Sequence, residues 1–121
     1  ASRDLPGDVS FVCMDLSFIS VTKVLLPLRD ALFARDDTSG ENAGLPCDLI
    51  VLVKPQFEVG KGEVGKGGIV RDPEKRSRAL EAVSDFARGA GYRVAGSIPS
   101  PVAGAEGNVE FLLYLELAKG L

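Results

Sequence analysis

Three charged residues of this 121-residue sequence stand where apolar runs stop or start. Asp15 follows the run ending in Met14, Lys54 follows Cys47 to Val53, and Glu110 stands near the head of Val109 to Leu117. An amine and two carboxylates brought into one crevice can align reactants, handle a proton and stabilise developing charge. Taken singly, each is more often a solvated strand end; the chemistry depends on their converging.

A second chemical candidate lies between Gln56 and Arg71, where glycines are dense and Val59-Gly-Lys-Gly62 is echoed by Val64-Gly-Lys-Gly67. Gly60, four residues, then Gly65 and Lys66 nearly spell a nucleotide-binding P-loop. However, Gly67 stands where a Ser or Thr would hold Mg²⁺. The next helix also starts about five residues too late to aim its N-terminus at a phosphate. The loop is therefore expected to be a flexible basic flap beside the crevice. Phe18 and Phe57 come just after strand ends, where a flipped nucleotide could stack. Phe11, Phe86 and Phe111 are expected in the core.

The elements that must position these residues follow from hydrophobic periodicity. Val9 to Met14 and Cys47 to Val53 read as buried strands. Residues 21–34 read as a helix in which Pro27 should impose a kink or a late start. Residues 35–46 are rich in Asp, Ser, Gly and Asn and read as a loop. Asp72 can cap a helix with Pro73 in its first turn and Ala79, Leu80, Val83, Phe86, Ala87 and Ala90 on one apolar face. Gly89 and Gly91 can end it. Tyr92 to Ile98 is a strand, residues 99–108 a turn-rich loop, and Val109 to Leu117 a last strand. Strands alternating with helices indicate an α/β fold: a mostly parallel sheet ending in an antiparallel hairpin, with helices packed on it. Ligands of such sheets bind beyond the carboxyl ends of the parallel strands. Asp15 and Lys54 share that edge, and Glu110 joins them if the last strand runs antiparallel.

Composition narrows the class. Hydrophobic residues make up 45% of the chain, enough for a core. No apolar run approaches the roughly 20 residues needed to span a bilayer. The start shows no signal-peptide pattern, so a cytoplasmic protein without a membrane partner is expected. With no histidine and only Cys13 and Cys47, both expected as small buried hydrophobes, no metal site is expected. The net charge of −3 is unevenly spread: residues 54–78 carry seven basic against four acidic side chains, the remainder seven against thirteen. A basic face on an acidic body can steer a phosphate backbone, although ordinary charge mixing on a solvated face gives the same count.

Four segments carry a family resemblance: Asp15-Leu-Ser-Phe-Ile-Ser20, Val53-Lys-Pro-Gln-Phe-Glu58, Val64-Gly-Lys-Gly-Gly-Ile-Val-Arg-Asp-Pro73 and Gly107-Asn-Val-Glu-Phe-Leu-Leu113. Together, and in order over nearly the whole chain, they resemble the hemolysin A (TlyA) family, itself similar to FtsJ-like ribosomal RNA 2′-O-methyltransferases. The resemblance implies a Rossmann-like methyltransferase using S-adenosylmethionine on ribosomal RNA or a ribosomal subunit. The family's catalytic set is Lys, Asp, Lys, Glu; by resemblance Asp15, Lys54 and Glu110 match its last three members, and the first Lys has no counterpart. Asp15 and Leu16 match what remains of the cofactor site. The family's S4-type RNA-binding domain and glycine-rich cofactor loop are likewise absent, so residues 1–121 are expected to be the C-terminal half of the catalytic domain. In isolation that half should bind the cofactor weakly and self-associate through exposed sheet. Tyr114 replaces a His found in many relatives.

Under that resemblance Lys54 either removes the ribose proton or stabilises the alkoxide as it forms, and Lys61, Lys66, Arg71, Lys75 and Arg76 hold the RNA backbone. Two other classes stay open: a membrane-acting hemolysin, which needs a spanning or interfacial helix, and an RNA-binding module without catalysis.

Overall fold

A computed structural model describes residues 10–39, 46–60, 62–104 and 107–118. Four strands form one sheet: β1 (Phe11–Met14), β2 (Cys47–Val53), β3 (Arg93–Pro99) and β4 (Phe111–Leu117). Their spatial order is β1-β2-β4-β3. β1 pairs with β2 in parallel, whereas β4 runs antiparallel to both β2 and β3. Three strands thus point the same way, and the expected hairpin closes one end of the sheet. What the pattern did not disclose is that β4 slots between β2 and β3, so only one of the three ladders is parallel.

Helix α1 (Thr22–Ser39) continues beyond the expected end at residue 34, and Pro27 lies inside it. The periodicity explains why the helix runs through. Val21, Leu25 and Leu32 are fully buried on one stripe, with Leu28 packed against the same core. Burial of that stripe outweighs the single backbone hydrogen bond a proline removes. Residues 40–45 of the expected loop lie outside the described residues.

A single turn, α2 (Pro55–Glu58), follows β2 directly, and a 3-10 turn (Lys66–Gly68) sits within the glycine-rich segment. Helix α3 (Pro73–Gly89) begins as expected: the Asp72 carboxylate accepts from the Glu74 N–H at 2.9 Å, and Pro73 takes the first helical position. Gly91, at φ +96, lets the chain turn back so that the Tyr92 N–H reaches the Ala87 carbonyl.

Both helices pack on one sheet face. Leu49, Val51 and Val53 of β2 and Leu113, Leu115 and Leu117 of β4 meet Leu25, Leu32, Val83 and Ala87 there. Tyr92 spans the two helices' layer, its hydroxyl donating to the Leu25 carbonyl at 2.6 Å. Because strand side chains alternate, the other face carries Phe11, Cys13, Ile98 and Tyr114, all exposed. Two expectations are corrected by this one-sided packing. Cys13 is exposed rather than buried, and Phe11 is not core; Phe86, at the edge of α3, is also exposed. Of the three phenylalanines expected in the core, Phe111 packs against it.

Candidate active site at the carboxyl edge of the sheet

The carboxyl ends of β1, β2 and β3 and the head of β4 meet at one edge, where a cleft of about 750 Å³ opens. Asp15, Lys54 and Glu110 all line it. The three residues expected to converge do so, although Glu110 stands one position before β4 rather than inside it.

The first two motifs interlock side chain by side chain. The Lys54 ammonium sits 2.5 Å from Asp15 Oδ1 and donates to the Ser17 hydroxyl at 3.3 Å. Its side chain is only 13% exposed while that of Asp15 is 67% exposed, so the amine is sheltered and its carboxylate faces solvent. Three residues further along each segment, Phe18 and Phe57 meet with ring centroids 5.1 Å apart. Phe18 is 90% exposed and holds φ at +67, an unfavourable conformation for an aromatic residue. At the far end, the Ser20 hydroxyl and the Val21 N–H donate to the two oxygens of Glu58 at 2.6 and 2.9 Å. Pro55 makes this possible: by pre-setting the first helical position it folds residues 55–58 into one turn directly after β2.

Burial raises the pKa of Glu58, and the Ser20 and Val21 hydrogen bonds oppose that shift. A carboxyl whose folded-state pKa is raised favours the fold most while protonated. That contribution is lost as pH rises from about 4 through the raised value. Glu58→Gln, which cannot ionise, is therefore expected to gain in Tm over the wild type as pH rises toward neutrality. A Tm difference independent of pH would refute this, and thermal melts across that range measure it.

Glu110 forms the cleft floor and is 4% exposed; its Oε2 accepts from Gln56 Nε2 at 2.9 Å. Asn108, 1% exposed, ties the glycine-rich segment to the head of β4. Its Oδ1 accepts from the Val70 N–H and its Nδ2 donates to the Gly68 carbonyl, each at 2.9 Å.

The glycine-rich segment is consequently a braced loop, not the free flap expected from its composition. The Gly65 N–H bonds to the Ile69 carbonyl, Arg71 donates to the Lys66 carbonyl at 3.0 Å, and Arg76 donates to the Val70 carbonyl at 2.8 Å. Gly67 and Gly68 of this loop line the cleft. Of the basic residues expected to hold RNA, Lys66 and Arg71 are exposed and Lys75 and Arg76 are partly buried. Lys61 lies outside the described residues. Leu16 packs against the core and is not among the residues lining the cleft. No group of side chains suited to a metal ion occurs among the described residues.

Sequence reasoning missed Ser17, Gln56, Glu58, Gly104 and Asn108. Four of these lie within the quoted motifs, but their roles are side-chain pairings between distant segments, which periodicity does not report.

Comparison with known proteins bears on this geometry. A family model described as FtsJ-like methyltransferase matches residues 2–117. The 16S/23S rRNA (cytidine-2′-O)-methyltransferase TlyA of Mycobacterium tuberculosis is 45% identical over 109 residues, covering 90% of this chain and 37% of that protein. YqxC of Bacillus subtilis, named for rRNA methyltransferase activity, is 40% identical over 109 residues, 90% of this chain and 35% of its own length. A solved structure of a Streptococcus thermophilus protein described as a hemolysin superposes with a TM-score of 0.80 at 34% identity, over 98% of this chain and 39% of that one. The chain therefore spans a little over a third of the length of the relatives it matches.

Proposed function

The chain belongs to the FtsJ-like methyltransferase family, and from that premise we propose that it supplies the acceptor side of an active site that methylates a ribose 2′-hydroxyl in ribosomal RNA. The observation that carries the reading is the convergence of Lys54, Asp15 and Glu110 in one cleft. On this reading residues 1–121 are the C-terminal half of the catalytic domain of a longer, cytoplasmic protein. Its cofactor loop and RNA-binding domain precede this segment.

The methyl group is supplied by S-adenosylmethionine, a sulfonium already activated toward a nucleophile. The cleft suits such a cation: Asp15 places a carboxylate at one side, and Leu52, Val64, Val102 and Ala103 offer apolar wall. This chain's residues have the other task, that of holding a weak nucleophile and stabilising the charge it develops as its proton passes to solvent. Lys54 is the group positioned for it. Its ion pair with Asp15 favours a role in stabilising the alkoxide as it forms, in a sheltered place where a fixed charge counts for more than in water. Phe18, exposed at the rim with Phe57 beside it, offers a face on which the target base can stack.

The test is transfer of labelled methyl groups by the full-length protein to ribosomal subunits, followed by nucleoside analysis. Label on ribose supports the reading; label on a base, or none, defeats it. Binding of rRNA without any methyl transfer would favour the non-catalytic module. As for a membrane-acting role, no described helix is long and apolar enough to cross a membrane.

The exposed Lys66 of the loop and Lys75 in the first turn of α3 are proposed to meet RNA phosphate. Replacing Lys66 and Lys75 together by glutamine should lower the slope of log K against log salt by about 1 per residue. These two are preferable to Arg71 and Arg76, whose guanidinium groups hold loop carbonyls at 3.0 and 2.8 Å, whereas the Lys75 ammonium reaches the Glu63 carbonyl only at 3.5 Å. An unchanged slope in a filter-binding titration would remove the loop from the RNA interface.

A further inference from the structure

Gln56 is 8% exposed, lines the cleft and donates its amide N–H to Glu110, yet its Oε1 has no hydrogen-bond partner among the described residues. Leaving a buried amide oxygen unpaired incurs the full desolvation penalty of that group. A glutamine kept only for packing would rotate to satisfy both ends. Here rotation is blocked by chemistry: turning the amide over would set Oε1 against a carboxylate oxygen, acceptor against acceptor. The orientation thus serves Glu110 at the expense of Gln56, and the charge-assisted bond offsets the orphan.

The backbone around Glu110 is shaped to the same end. A Cβ built on Gly104 would lie 1.8 Å from Glu110 Oε2 and 2.8 Å from Oε1, so the loop after β3 passes the carboxylate at a distance only glycine allows. The Ser100 N–H donates to the Glu110 carbonyl at 2.7 Å, and the Gly104 N–H to that of Asn108 at 2.8 Å, fixing this approach. Gln56 is held on its own side by the one-turn α2, whose end is pinned to α1 through Glu58.

We infer that Gln56 is a positioning residue for Glu110: its amide clamps Oε2, with Gly104 closing the other side, so that the carboxylate keeps one orientation while the substrate is bound. Oε1, which takes no hydrogen bond from a described residue, is left for the ligand. The inference rests on the cleft being the methyl-transfer site.

Two variants of the full-length protein test it. Gln56→Met keeps the bulk and removes the donor. Gln56→Glu keeps the shape and sets a second carboxyl against Glu110, so that the two must share a proton near the same oxygen. Both are expected to lower kcat about tenfold to a hundredfold with KM for the rRNA substrate nearly unchanged. Both should also move the acidic limb of the pH–rate profile to higher pH, Gln56→Glu by more. In parallel, the ¹³C carboxyl resonance of Glu110 should broaden or split in Gln56→Met, reporting more than one carboxylate orientation, and stay single in the wild type. If both variants merely lose Tm, with the acidic limb and the kcat-to-KM split unmoved, Gln56 is structural and the inference fails. If the wild type transfers no methyl group, the site assignment fails instead. The ¹³C spectrum still decides whether Gln56 governs the Glu110 carboxyl.

Discussion

Replacing Lys54 by alanine in the full-length protein is expected to slow methyl transfer about 10³-fold while preserving the basic limb of the pH–rate profile. The size follows from position. Lys54 is the sheltered cation of the cleft, 13% exposed, with Asp15 and Ser17 both holding its ammonium. The preserved limb follows from the partner. A lysine that served as base would have to lose its proton, and the carboxylate 2.5 Å away works against that loss. Its work is then electrostatic: the charge is present before, during and after the hydroxyl gives up its proton, and removing it lowers the rate without removing a titration. Asp15→Asn should reproduce part of the loss, since an amide orients Lys54 less firmly than a carboxylate. A Lys54→Ala profile that loses its basic limb would make Lys54 the base. A loss smaller than about tenfold would move it away from the chemical centre.

The second large effect concerns stability. Asn108→Ala should destabilise the fold by about 2–4 kcal/mol, because it strips partners from the buried Val70 N–H and from a partly buried Gly68 carbonyl, and a buried group left unpaired costs about 1–3 kcal/mol. The Val70 N–H is left without its acceptor, and the Gly68 carbonyl loses its donor. Val70 is itself buried, so water cannot readily substitute at its N–H. Asn108→Asp separates the two terms: it keeps the acceptor for Val70, loses the donor to Gly68, and should show roughly half the loss. Urea denaturation of the three proteins measures this. Equal stabilities would mean that the glycine-rich loop is not anchored through Asn108.

Which parts of this were legible in the sequence follows from what patterns encode. Apolar runs marked the strands, and Asp15 and Lys54 could be set at one edge because each ends a strand and parallel strands end together. The α3 start was legible because Asp72 and Pro73 act locally. The insertion of β4 between β2 and β3 was not, since no local signal distinguishes an inner neighbour from an outer one. The one-sided covering of the sheet was equally hidden, and it placed Cys13 and Phe11 on the wrong face in the reading. The loop at residues 62–70 read as a flexible flap because glycines suggest freedom. Its restraint comes from Asn108, about forty residues away, and from guanidinium groups on the following helix start.

The place of β4 has a consequence for the order in which the protein is made. A ribosome releases β1, β2 and β3 first, yet β2 and β3 share no neighbour until residues 111–117 have emerged to lie between them. The nascent chain can hold the β1–β2 pair and nascent helices, but no sheet that joins its two halves. Glu110 leaves the exit tunnel immediately ahead of that strand. The cleft therefore comes into being in a single late step, with its floor and its keystone strand arriving together.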